Sequence, residues 1–276
     1  MDYRIEANRK NWNERTPVHA ASGFYDVEGF RNGRITLNDI ERNEVGSVEG
    51  KSLLHLQCHF GMDTMSWARL GAQATGVDIS DAAIGLARAL NDELQLNTRF
   101  IRSNIYDLPN VLEEEFDIVY TAMGVLCWLP DLSEWANIIA KFLKPNGIFY
   151  ILDGHPFAHV FESEENQAGV QELRARHPYF KKTEGDFYEG GQHTYAGSDI
   201  IEAGCYEWQH SVGEILNAIL AAGLRLQFFH EFACSGYKAF PCMEKGADGW
   251  WRLTSRNDSI PQIFSLKATM VDVKNK

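Results

Sequence analysis

The sequence predicts a doubly wound α/β fold, with a seven-stranded, mostly parallel sheet between helices, and three observations carry that prediction. The stretch from Ser52 to Ser80, SLLHLQCHFGMDTMSWARLGAQATGVDIS, passes from a continuous apolar run to helical spacing and back to an apolar run. The same alternation continues without a break to Leu152. The polar residues Gln57 to Asp63 and Asp78 fall at the carboxyl ends of the first two apolar runs, the edge at which parallel sheets bind their ligands.

Each element has its own signal. Leu53 to Leu56 reads as the first strand, Gly61 as a tight connection, and Met62, Met65 and Trp67 as the apolar side of a helix stopped by Leu70-Gly71-Ala72. Ala74 to Val77 is the second strand, which delivers Asp78. Ser80 is a good N-cap for a helix from Asp81 to Leu90, with Ile84, Ala87 and Leu90 on one face. Thr98 to Ser103 and Phe116 to Thr121 read as the third and fourth strands. Leu132 to Leu143 is an amphipathic helix with Trp135, Ile138, Ile139 and Phe142 inward. Lys144-Pro145-Asn146-Gly147 suits a tight turn before a fifth strand over Ile148 to Leu152. Ser211 caps a helix through Ala222 that stops at Gly223. Leu224 to Glu231 and Pro261 to Ala268 supply the last two strands.

Two segments stand outside this alternation. Residues 1–50 form an N-terminal extension, read as a helical cap with a helix from Ile5 to Arg15, and 51–276 form the main domain. Residues 154–206 are aromatic, His-rich and Gly-rich; an irregular insertion after a strand end commonly builds a substrate pocket, and this one reads as a lid.

The chain has 276 residues, 45% of them hydrophobic, enough to bury a substantial core. A formal charge of −12 argues against nucleic acid as a partner, because phosphate binding needs clustered Lys and Arg, and Lys181-Lys182 is only a short solvated turn. No segment approaches a membrane span and the N-terminus has no apolar signal region, so a soluble, cytoplasmic protein is expected. The five cysteines are scattered without a CxxC pair, which fits reduced thiols rather than disulfides or a zinc knuckle. His55, Cys58 and His59 are close in sequence, but alternating strand geometry turns His55 and Cys58 apart, so no metal is expected.

The loop after the first strand narrows the cofactor. A dinucleotide site needs Gly-x-Gly-x-x-Gly for backbone approach to a pyrophosphate, and Gln57, His59 and other bulky groups occupy that space. A phosphate-free ribose ligand tolerates the bulk if Gly61 lets the chain turn and Asp78 receives the ribose hydroxyls. LLHLQCHFG resembles motif I of the class I S-adenosylmethionine-dependent methyltransferases, and GVDIS resembles the end of their second strand. SNIYDLP resembles their adenine-contacting segment, FDIVYTAMGVLCWLPD their fourth-strand motif, and LKPNG the turn before their fifth strand. These matches keep family order over Leu53 to Leu152, and HSVGEILNAILAAGLRLQFFHEF is similar to the family's sixth helix and strand.

The resemblance implies a Rossmann-like fold, S-adenosyl-L-methionine as cofactor, and methyl transfer to a small-molecule acceptor. By position it implies that Asp78 binds the ribose diol, Ile79 packs on the adenine, and Asn104 bonds the adenine amino group with Ile105 beside it. It further implies that Thr121 and Met123 flank the methionine portion, with Gln57, His59 and Gly61 forming the motif I loop. The chain departs from the family pattern at His55, which replaces an acidic residue, at Gln57 and His59, which replace glycines, and at Asn104, which replaces an Asp.

Methyl transfer from a sulfonium chiefly requires alignment of nucleophile, methyl and sulfur, with a base where the acceptor must lose a proton. His155, directly after the fifth strand, is expected to face the cleft and touch substrate. His210, with Glu207 three residues upstream, offers an oriented carboxylate and imidazole pair, or a helix cap. His59 is expected to pack on the cofactor or hold its loop, His55 to be a satisfied core histidine, and His19, His159, His177, His193 and His230 rank below them. Tyr25, Trp128 and Tyr195 are expected at the substrate pocket, and Arg15 and Asp26 either clamp the cofactor tail or are surface charges. Two other readings stand beside a methyltransferase: a nicotinamide-dependent oxidoreductase, and a non-catalytic protein that binds S-adenosylmethionine or its demethylated product.

Overall fold

A computed structural model of the chain describes residues 2–165, 171–180, 183–254 and 260–271; Lys181-Lys182, expected as a solvated turn, lies outside them. Seven strands form the central sheet: β1 (Ser52–Leu56), β2 (Gln73–Asp78), β3 (Arg99–Arg102), β4 (Phe116–Ala122), β5 (Leu143–Gly154), β6 (Leu224–Phe232) and β7 (Ile263–Met270). Their order across the sheet is β6-β7-β5-β4-β1-β2-β3. All pairs from β5 to β3 are parallel, whereas β7 runs antiparallel to both β5 and β6. The chain order reverses between β1 and β4, so the carboxyl ends of these two strands flank the crevice that a doubly wound sheet offers to a ligand.

Alternation along β1 sends Leu54 and Leu56 to one face of the sheet and Leu53 to the other. The first face packs on α6 (Leu132–Phe142) and α7 (Val212–Ala221), where Trp135, Ile138, Ile139, Phe142, Ile215 and Ile219 are buried with Phe149 and Ile151. The second face packs on Trp67 of α4 (Met62–Arg69). Ser80 caps α5 (Asp81–Glu93) by accepting the Ala83 amide at 3.0 Å, and Ile84, Ala87 and Leu90 of that helix pack with Phe100 of β3.

Gly61 is needed twice over. Its φ of 78° is left-handed, and a Cβ there would stand 2.4 Å from the Phe100 ring and 3.2 Å from Ala87. Gly61→Ala is expected to cost about 2–4 kcal/mol, the sum of left-handed strain and overpacking, read as a lower midpoint in urea denaturation.

Four departures from expectation have physical causes. The N-terminal helix α1 runs Tyr3–Ala21, through Pro17, rather than stopping at Arg15. Its last turn is held by His19, whose Nε2 lies 2.6 Å from Thr194 Oγ1 and whose ring stacks on Tyr25. Those contacts offset the hydrogen bond that proline removes. Two further helices follow in the extension, α2 (Val27–Arg31) and α3 (Asp39–Val45). The latter is begun by an Asn38/Glu41 capping box and covers the second sheet face, where Tyr120 donates to Glu41 and Tyr150 to Glu44. Burial pushes the Glu41 carboxyl upward, against the opposing pull of the Tyr120 hydroxyl and the Asn38 amide that donate to it.

The third departure is at Lys144-Pro145-Asn146-Gly147. β5 already begins at Leu143 opposite Phe116, and the four residues bulge out, with Asn146 at φ 63°, before pairing resumes at Ile118 and Ile148. The fourth is the insertion, which is more regular than expected. It carries antiparallel ribbons pairing Phe161–Glu165 with Gln171–Ala175, Asp186–Tyr188 with Cys205–Glu207, and Gln192–His193 with Ile200–Ile201. A further ribbon, Met243–Lys245 with Trp251–Leu253, lies between β6 and β7.

One face of α1 is buried although it is polar, because it docks on strand backbone. Asn8 donates to the Tyr206 carbonyl at 2.9 Å and accepts the Tyr206 amide at 2.7 Å, and Asn11 donates to the Ala203 carbonyl at 2.6 Å. The extension and the insertion thus meet over the same sheet edge.

Candidate active site

The loop between β1 and α4 turns back on itself through three left-handed residues, Gln57 (φ 58°), His59 (φ 53°) and Gly61 (φ 78°). Two of them carry side chains, and each costs on the order of 1–3 kcal/mol unless the surroundings hold it. The surroundings do so. The His59 amide donates to Asp78 Oδ2 at 2.8 Å, the Gln57 side chain donates to the Val125 carbonyl at 3.0 Å, and the Cys58 amide donates to the Val77 carbonyl at 2.9 Å. Asp78 Oδ1 accepts the Ser80 amide at 2.8 Å. Burial pushes the Asp78 carboxyl up to about 6 against the opposing pull of these amides.

An aromatic wall stands over this loop. The Trp12 ring meets His59 at 5.1 Å and Trp128 at 5.2 Å, the Arg15 guanidinium lies 5.4 Å from both tryptophans, and Tyr25 lies 5.3 Å from His59. Tyr25 and Tyr195 share a hydroxyl contact of 2.6 Å. Burial, helped in each case by Arg15, takes the His19 imidazole down to about 3 and that of His59 well below its ordinary value, so both rings are neutral at pH 7. Gln57 Oε1, His59 Nε2 and His19 Nδ1 are buried without hydrogen-bond partners, three orphaned polar atoms around one loop.

The other side of the site is built on Asp153, a buried carboxylate in the last two residues of β5. It accepts the Gly124 amide, the Val125 amide at 3.2 Å, the Leu126 amide at 3.0 Å and the Gly154 amide at 2.7 Å. It therefore shapes the turn after β4, where Met123 (φ 55°) and Gly124 (φ 81°) are left-handed. The Trp128 indole donates to the Gly124 carbonyl at 2.8 Å. A cleft opens beside this turn, lined by Cys127, Asp153, Gly154, His159, Gln209 and His210 among others.

Gln57, His59, Gly61, Asp78 and Met123 gather at one sheet edge, with Tyr25, Trp128 and Tyr195 above them. Asn104 follows β3 and caps the turn Ile105–Asn110 by accepting the Tyr106 amide at 3.4 Å, and Ile105 is buried beside it. Thr121 is instead fully buried within the sheet, its hydroxyl donating to the Leu56 carbonyl at 2.9 Å, so Met123 is the residue that emerges at the strand end. His155 does not face the cleft either. Its amide is tied to the Gln262 carbonyl at 2.9 Å, its Nδ1 accepts the Phe157 amide at 3.1 Å, and its Nε2 lies 2.9 Å from Glu231 Oε1 without the alignment of a hydrogen bond. His210 lines the cleft and presents Nε2 to the Leu129 carbonyl at 2.8 Å. Glu207 stands under the insertion, where burial raises its carboxyl and Arg15 opposes the rise.

Arg15 belongs to the aromatic wall, whereas Asp26 caps α2 and pairs with Arg34 at 3.2 Å. His55 is a core histidine with Nδ1 2.8 Å from Thr64 Oγ1. Among the described residues, no group of three or more His, Cys, Asp or Glu is placed to hold a metal. No helix among them is long and apolar enough to cross a membrane. Sequence reasoning missed Asp153 and the roles of Trp12 and His19. Asp153 carries the same signal as Asp78, a carboxylate closing an apolar run.

Comparison with known proteins agrees with this architecture. Residues 54–151 match a family model described as a methyltransferase domain. A ubiquinone biosynthesis O-methyltransferase of Alkalilimnicola ehrlichii is 30% identical over 148 residues, which cover 51% of this chain and 60% of that protein. The chain thus spans less than two thirds of that relative. An S-adenosylmethionine-dependent methyltransferase from Mesorhizobium loti superposes with a TM-score of 0.59 at 18% identity, over 83% of this chain and 94% of that one. The glycopeptide N-methyltransferase MtfA in complex with S-adenosyl-L-methionine gives 0.52 at 13% identity, over 84% and 91% of the two chains. Residues 54–151 thus resemble a methyltransferase domain, and the sheet order β6-β7-β5-β4-β1-β2-β3 belongs to a fold that this chain shares with S-adenosylmethionine-dependent methyltransferases.

Proposed function

We propose that the protein transfers a methyl group from S-adenosyl-L-methionine to a hydroxyl of a small-molecule acceptor. The observation that carries this reading is the left-handed loop fastened to Asp78, which leaves orphaned polar atoms but no backbone cradle for a pyrophosphate. Gln57 and His59 fill the space where a dinucleotide would need glycine. The free lone pairs of Asp78 suit a ribose diol, and Asn104, Ile105 and Ile79 stand where an adenine would lie. Gln57, Met123 and the unpartnered His59 and His19 nitrogens surround the place of the methionine portion. When bound, the cofactor supplies a methyl group on a sulfonium that is already an activated leaving group. Tyr25, Trp128 and Tyr195 wall the acceptor side, with the insertion 154–206 as its cover, and exclude water from it. The O-methyltransferase name of the relative favours oxygen as the acceptor atom.

A cytoplasmic setting suits the five free cysteines, and the charge of −12 disfavours nucleic acid as substrate. Calorimetric titration tests the reading. S-adenosylhomocysteine is expected to bind saturably and NADH not to bind at the same concentrations; the reverse result would exclude a methyltransferase.

A further inference from the structure

We infer that His159 is the general base that takes the proton from the acceptor hydroxyl. The inference rests on the methyl-transfer reading and adds a catalytic residue to it. Of the histidines near the end of β5, this is the one the chain returns to the cleft. The turn after β5 is closed by the Ala158 amide donating to the His155 carbonyl at 2.9 Å, and His155 is tied to β7. The next residue out of the turn lies back across the strand end. A Cβ on Gly154 would stand 2.8 Å from His159 Nε2 and 3.2 Å from Cε1, so glycine leaves room for the imidazole on the cleft floor.

The residue is exposed to solvent, as a base that must meet a diffusing acceptor has to be. Its surroundings are those of a base rather than of a fixed cation. Crowding by protein lowers its proton affinity and keeps it neutral near pH 7, while the Asp153 carboxylate and the Gln209 side chain favour the protonated form it reaches during reaction. Gln209 is itself held by donating to the Pro156 carbonyl at 2.8 Å. The other titratable groups facing His159 are His155, paired with Glu231, and His177, which lies 2.7 Å from Glu162 Oε1. Cys127 and His210 complete the cleft. Asp153 also fixes the amides of Gly124, Val125 and Leu126, so the turn beside the methionine side and the imidazole share one rigid anchor.

The step balances without a further reactant. The acceptor O–H bond breaks and its proton passes to His159 Nε2. The oxygen lone pair forms the new O–CH3 bond as the S–CH3 bond breaks, and that electron pair returns to sulfur, leaving a neutral thioether.

The test uses the full chain saturated with S-adenosylhomocysteine and 4-nitrophenol as a chromophoric hydroxyl probe, whose absorbance reports where the proton is. In the wild type the ionisation of the bound probe is expected to be coupled to His159, so that its absorbance titration with pH is displaced from that of the free probe. His159→Gln is expected to weaken probe binding at least tenfold and to abolish that shift, with S-adenosylhomocysteine affinity unchanged within twofold. An equal shift in both proteins, or no probe uptake by the wild type, overturns the role of His159 while the cofactor reading stands. Failure of the wild type to bind S-adenosylhomocysteine overturns the reading and the inference together.

Discussion

Asp153→Ala is expected to destabilise the fold by about 3–5 kcal/mol, because it strips the acceptor from the Gly124, Val125, Leu126 and Gly154 amides at once. Each buried amide left unsatisfied costs about 1–3 kcal/mol, and only part of that is recovered when water enters the cleft. A domain of this size has about 5–15 kcal/mol in total, so the variant would lose a large share of its margin. Asp153→Asn should lose less but still be measurably weaker, since its amide group sets one donor against another. Urea denaturation of the three proteins checks this directly. A loss below about 1 kcal/mol in the alanine variant would show that the turn after β4 holds its shape without the carboxylate. The same variants should weaken S-adenosylhomocysteine binding, because the Gln57 side chain anchors on the carbonyl of Val125 in that turn.

Asp78→Ala is expected to raise the dissociation constant for S-adenosylhomocysteine by roughly 100-fold, about 2.7 kcal/mol, the scale of hydrogen bonds to a charged acceptor. The loss has two sources, the ribose contacts and the slackening of the loop that the carboxylate fastens at the His59 and Ser80 amides. The pH dependence separates them by sign. Burial raises the Asp78 carboxyl to about 6, above its value in the unfolded chain. Its contribution to stability is therefore complete below the ordinary carboxylate range and is lost as pH rises through about 6. Cofactor binding uses the ionised form, so affinity should instead fall as pH drops through about 6. Unliganded stability and cofactor affinity thus move oppositely in this window, and Asp78→Asn should remove both components. Calorimetric titrations and thermal melts at pH 5 and pH 7.5 decide it; equal affinity for the wild type at both values would exclude Asp78 as the ribose ligand.

The parts of the site legible in the sequence are those set by neighbours in the chain. The loop ending at Gly61 and the carboxylate at position 78 are visible because an apolar run must end where the sheet ends. The Ser80 cap lies within a few residues of the amides it satisfies. The extent of α1 was hidden, because its buried face is not apolar: Asn8 and Asn11 spend their amides on the backbone of Tyr206 and Ala203, nearly two hundred residues away. A pattern of hydrophobic spacing has nothing to detect there, and Pro17 reads locally as a stop. Thr121 belongs to the same class. Its place in the motif suggests a ligand contact, yet its hydroxyl bonds across to β1.

The histidines show the limit most clearly. His155 follows β5 directly, and sequence position alone points it at the ligand, but a hydrogen bond to Gln262 beside β7 draws that residue aside, and the turn that follows returns His159 to Gly154. By itself the sequence determined the strands, their alternation with helices and the sheet edge where the candidate site lies, because periodicity and turn chemistry act over a few residues. The tertiary structure alone decided which side chains converge on that edge, because hydrogen bonds between segments far apart in the chain set the direction in which each loop leaves the sheet.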